Sequence, residues 1–334
     1  MESASIWLWL GFNLFVVLLL AFDLGVLHRK QREIRVSEAL WLSLGYFVLA
    51  ALFNAGIFYW RGSEAGFAFM TGYLIEKSLS LDNIFVFVLI FTHFAVPTQY
   101  QHRVLFWGVI GALAMRAALI ALGASLIETF HWIVFVFGAF LIATGVKMLV
   151  TINAKPDLGN NAVVAFMRRR FRITPDYHGE RFFVRQNGLL WATPLFLVLV
   201  LVEISDLIFA IDSIPAIFAI TQDPFIVYTA NVFAILGLRA LYFALAGIVH
   251  RFHYLKYGLS LTLLVVGGKM ILNGLFGEKV VPTEVALLIT ALLIFGSMAL
   301  SLLRTRGVAS EPRERHALGW VPGSRPADSA AERT

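Results

Sequence analysis

Two runs decide how this chain folds: EKSLSLDNIFVFVLIF at residues 76–91 and EISDLIFAIDSIPAIF at residues 203–218. Each sets several carboxylates inside an apolar stretch long enough to cross a bilayer. A charged side chain near the bilayer centre costs about 2.5–3.5 kcal/mol on insertion scales, so ionisable residues kept there point to a functional site. The two runs also match each other. Laying Asp82-Asn83 on Asp212-Ser213 brings Glu76 onto Asp206, because each of these acids stands six residues before its partner.

Composition agrees with a membrane setting. Of the 334 residues 59% are hydrophobic and only 14% charged, against about 25% charged in soluble domains. A span needs about 20 mostly apolar residues, and about nine such stretches can be drawn. They run 6–27, 38–60, 65–91, 103–126, 131–152, 188–220, 225–249, 255–276 and 283–303. The predicted fold is an all-α, polytopic membrane helix bundle. The chain has no cysteine, which excludes disulfides, thiolate metal ligands and thiol redox chemistry. The first apolar run has no basic residue before it and a basic cluster after it, the pattern of a retained helix rather than a cleaved signal peptide.

The formal charge of +6 is explained by topology rather than by nucleic acid. One set of alternate loops carries Arg29, Lys30, Arg32 and Arg35, then Arg103, the bases between Lys155 and Arg185, Arg251 and Lys256, and the basic tail. The other set holds Arg61 and Lys279. By the positive-inside rule the N-terminus is outside and the C-terminus cytoplasmic. Residues 153–187, with FMRRRFR, read as a basic cytoplasmic linker, and 304–334 as a disordered cytoplasmic tail.

Spans 3–5 (65–152) and 6–8 (188–276) form an internal repeat, preceded by spans 1–2 (1–64) and followed by span 9 (277–303). After Asp82 come Arg116 in GALAMR and Lys147 in GVKML; after Asp212 come Arg239 in ILGLR and Lys269 in GGKMIL. Three helices per repeat is an odd number, so the halves are inverted. Inverted repeats with a site near the midplane recur in secondary transporters.

On an unbroken helix six residues turn about 240°, so Glu76 and Asp82 point to different faces, as do Asp206 and Asp212. Pro215 removes an N–H and crowds the carbonyl of Ile211, so an unwinding is expected at Asp212–Pro215, with a counterpart near Ser80–Asn83. Glu203 and Asp206, at i and i+3, share a face. The candidate metal ligands are Glu76, Asp82, Asn83, Glu203, Asp206, Asp212 and Ser213, with Asp23 in span 1 either an eighth or a residue that reaches to the interface. The histidines (His28, His93, His102, His131, His178, His250, His253 and His316) all fall at span ends or in loops. Oxygen donors suit Mn²⁺, Mg²⁺ or Ca²⁺, and composition does not choose among them. The intramembrane bases Lys77, Arg116, Lys147, Arg239 and Lys269 either lock these acids into buried ion pairs or act as counter-ions that a cation or protons displace. Lys147 and Lys269 suit proton coupling better than Arg116 and Arg239, since a desolvated Lys can lose its proton.

FDLGVLHRK in span 1, EKSLSLDNIFVF in span 3 and LVEISDLIFAIDSIPAIFAI in span 6 resemble the TerC/Alx family of bacterial membrane proteins, within the LysE-like transporter group. The resemblance covers about residues 10–303. It implies an inner-membrane protein of a family named for tellurium resistance, several members of which are linked to Mn²⁺ export. It also implies functional acids at Glu76, Asp82, Glu203, Asp206 and Asp212, with Asp23 less secure. The expected function is therefore a secondary transporter exporting a hard divalent cation, first of all Mn²⁺, in exchange for protons. The partners are the metal ion and the lipid bilayer, with homo-oligomers or secretion machinery as further options and no nucleic acid. Two alternatives are oxyanion handling through the Arg and Lys residues and a non-transporting scaffold working through linker and tail. No motif for enzymatic chemistry is present and no resident cofactor is expected.

Overall fold

The computed structural model describes residues 6–27, 36–130, 132–151, 162–186, 188–246, 254–276 and 280–304, without the side chains of 23–27, 162 and 283. It is a helix bundle: α1 Ile6–Leu27, α2 Val36–His93, α3 Thr98–Thr129, α4 Ile133–Val150, α5 Ala162–Arg170, α6 Pro194–Phe218, α7 Pro224–Leu236, α8 Leu238–Leu245, α9 Leu255–Phe276 and α10 Thr283–Arg304. One two-stranded antiparallel hairpin, β1 Phe183–Gln186 and β2 Leu189–Ala192, precedes α6. Among the described residues seven helical segments are long and apolar enough to cross a membrane, α7 and α8 together counting as one.

α2 has 58 residues, or about 87 Å at 1.5 Å per residue, nearly three times the hydrocarbon thickness of about 30 Å. It breaks at Gly62, with φ 85° and ψ 176°, a conformation for which glycine carries no Cβ penalty. The break falls in the gap that the sequence leaves between residues 60 and 65. Beside it, Asp223 caps α7 by accepting from the amides of Phe225 (2.9 Å) and Ile226 (3.4 Å), while Nη1 of Arg61 lies 2.8 Å from Oδ2 of Asp223.

Apart from Thr229 and Asn231, α7 is apolar on all sides, and it is almost wholly buried, as suits a helix at the centre of a bundle. Aromatic rings from α1, α2 and α7 close around it: Phe12, Phe53, Phe69 and Phe233 pack with centroids 4.9 to 6.0 Å apart. α2 packs on α7 and α8, α6 packs on α3, and α4 packs on α9. The last pair is antiparallel and close, with Gly138 against Gly267 and Gly145 against Ser260. A Cβ at Gly267 would stand 2.9 Å from the Gly138 carbonyl oxygen, so bare backbone is required there.

Three expectations need correction. α6 runs through Pro215 to Phe218 as one helix, without the expected unwinding at Asp212–Pro215. Proline removes one N–H, but it sits in the last turn, where little helix remains to be disrupted. α2 is likewise helical through Ser80–Asn83, its one break being at Gly62. Span 6 starts at Pro194 rather than at 188, because Leu189–Ala192 pair with Phe183–Gln186 as strands. The linker is thus structured in part. It is docked on the end of α2, where the Tyr177 hydroxyl donates to the Phe94 carbonyl at 2.7 Å. Burial pushes that hydroxyl above the ordinary phenol range, so it remains a donor. The side chain of Asp23, the basic cluster at 28–35 and the tail after 304 lie outside the described residues.

Candidate functional site

The centre of the bundle holds one cation between two anions. Arg116, on the unbroken α3, is buried at 2% exposure together with Glu76 and Asp206. Its Nε and Nη2 donate to Oδ2 and Oδ1 of Asp206 at 3.2 and 3.1 Å, the two-pronged geometry that a planar guanidinium gives with a carboxylate. Its Nη1 donates to Oε1 of Glu76 and, at 2.7 Å, to Oδ1 of Asn231; Ser213 Oγ stands at 3.5 Å. The side-chain amide of Asn83 donates to Oδ1 of Asp206 at 2.9 Å. Four helices, α2, α3, α6 and α7, converge here. Oε2 of Glu76 and Oδ1 of Asn83 are buried and receive no hydrogen bond, which is unusual for buried oxygens.

The residues that the sequence singles out are thus divided by helical rotation. Glu76, Asn83, Asp206 and Ser213 come together. Asp82 turns aside toward Lys256 of α9, whose Nζ also sits 5.3 Å from the Phe85 ring centroid. Asp212 turns toward α4, where it accepts from Thr144 Oγ1 at 3.4 Å and feels the exposed ammonium of Lys147. Glu203 is half-buried one turn before Asp206, with its carboxylate pressed on the bare backbone of Gly111 in α3. Lys269 is buried in α9 and faces Glu284 of α10, while Arg239 is buried in α8, two residues past Gly237. Among the described residues no three His, Asp or Glu side chains gather as metal ligands. Of the acids, Glu76 and Asp206 are paired by Arg116, while Asp82, Asp212 and Glu203 lie against other neighbours.

Asn231 is the contact that sequence reasoning missed. A single amide in the run PFIVYTANVFAIL looks like a packing residue, and nothing in its spacing points to Arg116. Lys77 also has a specific place, with its ammonium donating to the Ala234 carbonyl at 3.3 Å where α7 ends.

A family model described as the integral membrane protein TerC family matches residues 61–309. The chain belongs to the TerC family. Its similarity to individual family relatives covers most of each chain. An uncharacterized membrane protein of Myxococcus xanthus is 50% identical over 299 residues, spanning 90% of this chain and 93% of the relative. One from Rickettsia felis is 46% identical over 297 residues, 89% and 97% of the two chains. An Escherichia coli K12 protein named as a membrane-bound redox modulator, Alx, is 48% identical over 274 residues, 79% and 85% of the two chains. No solved structure matches. As a TerC protein the chain is an integral membrane protein.

Proposed function

We propose that this TerC protein is a secondary carrier that exports a hard divalent cation, first of all Mn²⁺, across the bacterial inner membrane in exchange for protons. It is oriented with its N-terminus outside and built from an inverted repeat. The observation that carries this reading is the Arg116 guanidinium held between Glu76 and Asp206, the equivalent acids of the two halves. Two carboxylates facing each other in hydrocarbon demand a cation. An arginine tether meets that demand in the unloaded protein and can withdraw when a metal ion arrives. Glu76, Asp206 and Ser213 are oxygen donors in contact with the tether and Asn83 adjoins them through Asp206, and Glu76 Oε2 and Asn83 Oδ1 have acceptor capacity to spare. Such a set suits Mn²⁺, Mg²⁺ or Ca²⁺ over softer ions. Asp82, Glu203 and Asp212 then serve as flanking carboxylates on the way to and from the pair. The packing of α2 on α7 and α8, α6 on α3 and α4 on α9 is the cross-matched pairing that two interlocked inverted halves would make.

An oxyanion at the same place would meet two carboxylates, so the oxyanion reading is less favoured. With no cysteine in the chain, a redox effect of the kind named for the relative would be indirect, through metal balance. The test is metal flux into proteoliposomes under an imposed pH gradient, comparing Mn²⁺, Ca²⁺, Mg²⁺ and Zn²⁺. Mn²⁺ flux that needs the gradient and disappears in Glu76→Gln and Asp206→Asn is expected. Flux of none of the ions, or flux indifferent to both substitutions, refutes the reading.

A further inference from the structure

The exchange of the two halves treats the acids and the bases differently. Glu76 and Asp206 are equivalent positions, so the pair maps onto itself. Arg116 maps onto Arg239, and Ala114 onto Gly237, since both arginines stand two residues further on. In the structure these equivalent helices are unlike. α3 passes Ala114 without interruption and delivers Arg116 to the acids. The corresponding helix is interrupted at Gly237, separating α7 from the short α8 that carries Arg239. Lys77, the neighbour of Glu76 in sequence, sits in that interruption. Its Nζ donates to the Ala234 carbonyl at 3.3 Å, and a Cβ on Gly237 would stand 2.6 Å from it and 3.4 Å from Tyr46 Cβ. An ammonium at the carbonyl end of α7 is favourably placed against the helix dipole, and it fills the one-residue irregularity between α7 and α8, where Gly237 itself keeps φ −80° and ψ −5°.

In carriers built from inverted repeats, alternating access is largely rocking of one half against the other around a fixed site, and a rocking that keeps the two-fold relation exchanges the roles of the equivalent helices. An acid pair without a cation is strongly unfavourable in a membrane in either state. We propose that Arg239 is the alternate tether. In the opposite-facing state Lys77 leaves the Ala234 carbonyl, and Gly237 is drawn into one regular helix with α7 and α8. Arg239 then takes the place between Glu76 and Asp206 that Arg116 holds here. The proposal rests on the carrier reading and assigns Arg239 and Lys77 as positioning residues for access, leaving the cation's identity aside.

The chain has no cysteine, so single reporters can be introduced without background. Thr71→Cys and Ser80→Cys replace buried α2 residues on either side of Glu76. Each is labelled in proteoliposomes with a membrane-impermeant maleimide, in the absence of added metal. Relative to the reporters alone, Arg116→Gln and Arg239→Gln should move the ratio of labelling at the two positions in opposite directions, each by about threefold or more. Lys77→Met should move it in the direction of Arg116→Gln with both arginines intact. Should a glutamine variant fail to give a monodisperse peak, the lysine variant at that position replaces it, with the same direction and a smaller shift expected. Arg116 and Arg239 substitutions that move the ratio the same way, or an Arg239 substitution and Lys77→Met that both leave it unmoved, overturn the proposal. Because labelling needs no cation flux, opposite shifts in a protein that moves no Mn²⁺ would refute the Mn²⁺ reading alone. Mn²⁺ flux with unmoved labelling would refute only the alternate tether.

Discussion

Replacing Arg116 with Gln is the most direct test of the central ion pair. The guanidinium makes two bonds to Asp206, at 3.1 and 3.2 Å, and its Nη1 bonds Glu76 and Asn231. Glutamine can offer two N–H donors but no charge. Breaking a buried pair by removing one partner costs about 3–5 kcal/mol, because the remaining charge is left uncompensated. At about 2 °C per kcal/mol, the lower end of the range for chains of about 150–250 residues, the melting temperature should fall by roughly 6–10 °C. Size-exclusion thermostability in detergent, without divalent metal, measures this. A purely structural ion pair predicts the same fall, so a second arm is needed. If a metal replaces the tether, Mn²⁺ at about 100 times its Kd should return about 2.7 kcal/mol to Arg116→Gln. The wild type must first release Arg116, so its Mn²⁺ affinity should be weaker by about tenfold or more, or 1.4 kcal/mol. An Arg116→Gln variant that melts with the wild type, or one whose melting Mn²⁺ leaves unchanged, would refute the reasoning.

Three further outcomes are expected from the same geometry. Gly267→Ala should lower the melting temperature, since its Cβ would stand 2.9 Å from the Gly138 oxygen and overpacking costs about 1–3 kcal/mol; Gly268→Ala, with nothing within 4 Å, should leave it unchanged or raise it, and equal effects would sink the close-seam account. Asp223→Ala removes both a helix cap, about 1 kcal/mol, and an ion contact that alone contributes about 0–1 kcal/mol, so thermostability should drop more than in Arg61→Ala. Pro215→Ala restores an N–H to a helix that is already continuous, so melting should hold or rise and metal flux should stay at the wild-type level; loss of flux would revive an unwound segment at Asp212.

Much of the bundle was legible because hydrocarbon imposes length and apolarity on every span, and because the gap at residues 61–64 coincides with the break at Gly62. The misses have physical causes. Pro215 promised an unwinding, yet a proline near a helix end costs one hydrogen bond that tightly packed neighbours outweigh. Gly237 gives no warning of the small irregularity inside span 7, since glycine is common in membrane helices and Pro224–Leu245 still forms one span. Strand β2 merges with span 6 in the sequence because LLWA is as apolar as the helix that follows. Arg116 reads as an intramembrane base, but its joining of Glu76 to Asp206 depends on four helices meeting, which the sequence order alone does not state.

The six-residue spacing inside each motif explains why the acids do not act as one cluster. A turn of about 240° between them means that a helix that aims Glu76 inward must aim Asp82 elsewhere, and the same holds for Asp206 and Asp212. Repeating the motif on two helices therefore builds two classes of carboxylate. Glu76 and Asp206 meet at the centre, share one guanidinium and are sealed from water. Asp82 and Asp212 stay half-buried beside Lys256 and Lys147, and Lys147 is exposed. A cation handed from the second class to the first would lose its water in stages, meeting one carboxylate before two. On the carrier reading proposed above, the spacing that prevents a single straight helix from making a metal site would give two such helices a site and an approach to it.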